Sequence, residues 1–128
     1  MKRKYLDDIG VVDRPDLWKK RDKRQKEWTR QRKEYGFDER ETWCLDFSFY
    51  CWLYERCKMF LDKSCIDLNF HKFEYEGETF TQEQCINKII EGCEIAITVD
   101  DWNWTKEQEK QVADVAKIWA IILPAMWW

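Results

Sequence analysis

Three observations predict a mainly α fold with a small β component (α+β). Two stretches, Thr81-x-x-Gln84 and Thr105-x-x-Gln108, pair a hydroxyl N-cap with a glutamine three residues on, and each opens an apolar run of helical period. The segment Glu41 to Lys63 is rich in aromatics and holds neither glycine nor proline. Between these regions, residues 66–80 switch from a period of 3.6 to a period of 2. The expected architecture is about four helices around a long aromatic central helix, with a short β-hairpin and a basic N-terminal helical arm.

Taken in order, Asp13-Arg14-Pro15-Asp16 places an N-cap before a first-turn proline, so a helix is expected to start there and stop at Gly36. Its apolar stripe is thin. Leu17, Trp28 and Tyr35 fall within about 20° of one line, while Arg21, Arg24 and Gln31 interleave with them. Such an arm lies along the body or projects from it, held by three widely spaced anchors.

Asp38, with Glu41 three residues later, caps the expected central helix. Trp43, Phe47, Tyr50, Tyr54, Cys57 and Leu61 share one face, and Leu45, Phe49, Trp52, Leu53 and Phe60 widen it past half the circumference. A helix so broadly apolar reads as the buried centre of its domain.

In the period-2 region, Ile66, Leu68 and Phe70 and then Phe73 and Tyr75 alternate with polar residues, and a strand pair is expected to turn at Glu76-Gly77-Glu78. Solvent-facing alternation accounts for Glu74, Glu76 and Glu78 without a bound ion. The next helix presents Cys85, Ile86, Ile89, Ile90, Cys93, Ala96 and Ile97, and the last presents Val112, Val115, Ile118, Trp119, Ile122 and Leu123 until Pro124 limits it. The core is expected to hold Trp43, Trp52 and Trp119.

Composition narrows the function classes. With 128 residues, 45% hydrophobic and 16% aromatic, the chain suits one globular domain and not a disordered or fibrous protein. Its longest apolar run, Ile118 to Trp128, spans eleven residues and is interrupted by Pro124, so no membrane span is expected. Lys2-Arg3-Lys4 is followed only by the short Ile9 to Val12 stretch, so no secretory signal is expected either. The six cysteines, at positions 44, 51, 57, 65, 85 and 93, then read as thiols filling a reduced core. None forms a C-x-x-C pair, and His71 is the single histidine; no metal and no cofactor are assigned.

Charge divides the chain at Gly36. Residues 1–36 carry 13 basic and 7 acidic side chains, and residues 37–128 carry 9 and 18, which reads as a basic arm (1–36) on an acidic globular body (37–128). Either the arm neutralises the body or it engages a polyanion or an acidic partner. No catalytic constellation emerges: the six cysteines would compete for one imidazole, no glycine-rich phosphate loop exists, and carboxylate pairs arise by chance among 25 acidic residues. A non-enzymatic role is expected.

The segment Gly36-Phe37-Asp38-Glu39-Arg40-Glu41-Thr42-Trp43-Cys44-Leu45-Asp46, continuing through Phe49-Tyr50-Cys51-Trp52-Leu53-Tyr54-Glu55-Arg56, resembles small uncharacterised bacteriophage and prophage accessory proteins with a Glu-Thr-Trp-x-Leu-Asp start to an aromatic helix. The resemblance covers residues 36–97 and brings no catalytic residues. It implies a setting, the cytoplasm of an infected bacterial host, and a mode of action, binding of host machinery.

The expected function is therefore binding and inhibition of a host protein, such as an anti-phage defence or CRISPR component. The alternative is nucleic-acid binding through the basic helix. Candidate contacts are Lys19, Lys20, Arg21, Arg24, Trp28 and Arg32 on the arm, with Trp102, Trp104, Trp127 and Trp128 on the body. Trp127 and Trp128 are read as closing a self-association surface or docking the host target, with packing back onto the body as the plain alternative.

Overall fold

A computed structural model describes residues 24–128. It is mainly helical with one small antiparallel sheet. In chain order the elements are α1 (Gln25–Tyr35), α2 (Arg40–Trp43), α3 (Leu45–Lys63), β1 (Lys72–Tyr75), β2 (Glu78–Thr81), α4 (Gln82–Thr98) and α5 (Lys106–Ile122). Short 3₁₀ turns at Asp101–Asn103 and Leu123–Ala125 flank α5. None of the described helices is long and apolar enough to cross a membrane. The expected helix start at Asp13 lies outside the described residues.

The described residues form two compact units that divide between Phe49 and Tyr50, inside α3. In the first unit α1 ends where expected: Gly36 takes the left-handed conformation (φ 82°) and its N–H donates to the Arg32 carbonyl. Trp28 is fully buried against residues 38–43, and Trp43 meets it edge-on with ring centroids 6.1 Å apart. The segment 24–36 is thus integral to this unit.

The expected single helix over residues 41–63 is instead two. Cys44 leaves helical geometry (φ −129°, ψ 77°), ending α2 after four residues, and α3 begins at Leu45. The 3.6 period favours continuity locally, but α2 is directed by its tertiary partners, Trp28 against Trp43 and the buried Asp38 beneath Arg40. Nor is α3 the buried centre. Cys51, Leu53 and Cys57 are buried, while Trp43, Leu45, Trp52 and Met59 are exposed and Trp119 is half-buried.

The core of the second unit is the α4–α5 hairpin. Cys85, Ile86, Ile89 and Cys93 of α4 and Val112, Val115, Ile118 and Ile122 of α5 are all buried. Both helices start on complete capping boxes: the Thr81 hydroxyl accepts the Gln84 N–H while Gln84 accepts the Thr81 N–H, and Thr105 and Gln108 repeat the pattern. Gly92 sets the helix separation, since a Cβ there would lie 2.4 Å from Val115 Cγ2.

The hairpin pairs Phe73 with Phe80 and Tyr75 with Glu78. Its two-residue turn places Glu76 (φ 51°) and Gly77 (φ 78°) in the left-handed region, the type I′ geometry that matches strand twist. Residues 66–71 alternate like a strand but do not form one. The Asp67 carboxylate accepts the Asn69 N–H at 2.9 Å and the Asp67 carbonyl accepts that of Phe70, so a side-chain-stabilised turn takes the donors a strand needs. Across the unit, Tyr75 donates its hydroxyl proton to Asp114 of α5, and Lys110 bridges Glu76 and Asp114 at 2.8 and 2.9 Å, fastening the turn to the helix.

Candidate functional site

The structure sorts the ten candidate contacts into different roles. Lys19, Lys20 and Arg21 lie outside the described residues. Trp28 is no exposed stacking platform: its indole N–H donates to Glu39 Oε1 at 2.9 Å, and the guanidinium groups of Arg40 and Arg24 lie 4.4 and 5.0 Å from its ring centre. Arg32 is committed as well, donating to Asp38 Oδ2 at 2.7 Å. Arg40 completes the cluster with bonds to both Asp38 oxygens at 2.9 and 2.7 Å. Burial alone would raise the Asp38 carboxyl pKa, but the hydrogen bonds from Arg40 and Arg32 outweigh it and hold it below the usual carboxylate range. These residues form a folding cluster, and their types were legible in the sequence where their mutual engagement was not.

The four candidate tryptophans of the second unit divide into two groups. Gln82, at the start of α4, donates to the Ala125 carbonyl just beyond α5, so the two helices run antiparallel. The linker Val99–Trp104 therefore sits at one end of a hairpin about 25 Å long, and Trp127 and Trp128 sit at the other. They do not make one surface.

At the linker end the backbone is held tightly. Asn103 N–H donates to the Asp100 carbonyl at 2.8 Å, and Trp104 N–H to that of Asp101 at 3.2 Å. The half-buried Trp104 ring turns inward, its indole N–H donating to the Val99 carbonyl at 2.9 Å. That anchor leaves Trp102, 79% exposed, at the tip next to the exposed Asp100 and Asp101. Trp104 supports the tip, and Trp102 is the ring left facing solvent.

At the opposite end lies a feature that no local pattern announces. An apolar groove of about 420 Å³ is lined by Ile66, Phe70 and Phe73 on one side and Ile121, Pro124 and Trp127 on the other. Its walls come from segments some fifty residues apart, so the sequence, which reads 66–73 as strand and Trp127 as a candidate contact, does not bring them together.

The six cysteines are thiols. Burial pushes the Cys57 thiol pKa up to about 12, and burial with the neighbouring Cys57 and Cys51 does the same for Cys93. Cys44 and Cys65 are exposed. Among the described residues no group of three or more histidine, cysteine or carboxylate side chains is arranged to hold a metal ion.

Comparison of the chain with protein-family models, with curated proteins and with solved structures finds no match.

Proposed function

We propose that this chain is a non-enzymatic phage or prophage accessory protein that binds and inhibits a host protein through the acidic tip around Trp102. The observation that carries the reading is the pairing of a 79% exposed indole with Asp100 and Asp101 on a linker whose backbone is already ordered. Tryptophan is enriched among interface anchors, and a pre-ordered contact loses little entropy on binding. The surrounding unit, residues 50–128, carries 14 acidic against 8 basic side chains, so the partner it favours presents a basic surface. The nucleic-acid channel of a host defence nuclease is a surface of that kind, and an acidic tip inserted there would compete with phosphate for it.

The alternative of a nucleic-acid contact through the basic segment is weakened by the engagement of Trp28 and Arg32 within their own unit. The experiment that tests the proposal is capture from nuclease-treated bacterial lysate on the immobilised chain, followed by salt titration of any retained protein. Expected is one partner in stoichiometric amount, released as salt rises and lost with Trp102→Ala and with the double substitution Asp100→Asn, Asp101→Asn. Retention unchanged in both variants contradicts it.

A further inference from the structure

The groove end of the second unit carries both halves of a contact that fits itself. Its floor is the apolar cleft between Ile66, Phe70 and Phe73 and the end of α5. Two of the residues that line the cleft, Phe70 and Trp127, are also 73% and 72% exposed, and the adjoining Trp128 (60%) and Leu123 are exposed as well. The tail that bears the two tryptophans is not loose. Gln82, itself fully buried, donates to the Ala125 carbonyl at 3.0 Å and reaches Met126 Sδ at 3.4 Å. Met126 N–H donates to the Leu123 carbonyl and Trp127 N–H to that of Ala125.

We infer that this face pairs with a second copy of the same chain about a twofold axis, the Trp127 ring of each copy filling the groove of the other. An interface across a twofold axis requires one patch to be complementary to itself, which a cleft and a projecting ring on the same face supply. The size fits a weak, concentration-dependent pair. At about 150–250 Å² per aromatic side chain, the three exposed rings offer roughly 300–500 Å² before Leu123 and Ile121 are added, below the about 800 Å² per partner of a standard interface and in the range of transient contacts. The charge pattern fits as well. In a chain that is 37% charged, the groove lining includes one carboxylate, Asp67, and the imidazole of His71. A basic partner would find few counter-charges there, whereas a second apolar face needs none. Because the second unit of each copy carries excess acid, added salt screens repulsion between the paired faces and tightens the pair.

This contact uses the end of the hairpin opposite Trp102, so its failure and failure of the host-binding proposal are separately visible. Sedimentation velocity of the full chain over a wide micromolar range, at low and moderate salt, reads it directly. Expected is a concentration-dependent shift toward twice the chain mass of 15.9 kDa, stronger at moderate salt. Trp127→Ser and Phe70→Ser, both at exposed positions, each weaken the pair by at least about thirtyfold, the loss that follows truncation of an anchor ring, and leave the far-UV spectrum unchanged. Trp102→Ala leaves the pair intact. A monomer at every concentration and salt overturns the inference, as does a dimer that survives both ring substitutions.

Discussion

Gly92 of α4 lies so close to α5 that a Cβ at this position would come within 2.4 Å of Val115 Cγ2 and 2.5 Å of the Gln111 carbonyl oxygen. The valine methyl can rotate away, but the carbonyl is part of a helix and cannot. Alanine normally stabilises a helix interior relative to glycine by about 1 kcal/mol. Overpacking costs about 1–3 kcal/mol. Gly92→Ala is therefore expected to lower stability, by up to about 2 kcal/mol net, in urea unfolding followed by circular dichroism. A gain in stability would mean that the two helices stand further apart.

Trp28 and Trp102 should respond oppositely to truncation. Trp28 is enclosed and hydrogen-bonded through its indole, so Trp28→Ala is expected to destabilise the first unit by about 3–5 kcal/mol. Trp102→Ala removes a ring that already faces water, and its effect on the thermal midpoint should be within about 0.5 kcal/mol of zero. Parallel melts of the two variants measure both.

The Asp38 cluster makes the first unit sensitive to acid in a defined direction. Its carboxyl pKa is depressed in the folded state, so its stabilisation is complete above the unfolded carboxylate value of about 4 and is lost as pH falls below that toward the folded value. Asp38→Asn keeps the shape but removes the carboxylate that both Arg40 and Arg32 bond, which is expected to cost about 1.5–3 kcal/mol near neutral pH. Urea midpoints taken from neutral to acid pH should then show a shallower acid slope in the variant than in the parent.

Thiol accessibility divides the cysteines two against four. Cys44 and Cys65 should react with a maleimide in the native state, while Cys51, Cys57, Cys85 and Cys93 should react only on unfolding. Mass spectrometry of a timed labelling series counts them. Fast labelling at four or more positions would contradict the packing of α3 and α4.

What could be read from the sequence was what is decided locally. The Thr81–Gln84 and Thr105–Gln108 boxes, the Gly36 stop and the Gly77 turn all depend on residues within four positions of one another, and each formed as its pattern implied. The misreadings share a cause. Cys44 breaks an otherwise continuous helical period because Trp43 packs on Trp28, fifteen residues earlier, and residues 66–70 turn because one Asp67 side chain captures the backbone. The candidate surfaces followed the same divide. Charge and aromatic content picked out Trp102 and Trp127, but whether an arginine is spoken for, as Arg32 is by Asp38, depends on contacts the spacing does not encode.

The central claim is that the Trp102 tip, and not the basic segment near the N-terminus, meets the partner. The most direct measurement is quantitative capture from nuclease-treated lysate with three full-length baits: the parent, Trp102→Ala, and the charge reversal Lys19→Glu, Lys20→Glu, Arg21→Glu. The account predicts that the parent and the charge reversal retain the same host protein in equal amount while Trp102→Ala loses it. Loss with the charge reversal and retention with Trp102→Ala would contradict the account and shift the contact to the basic segment.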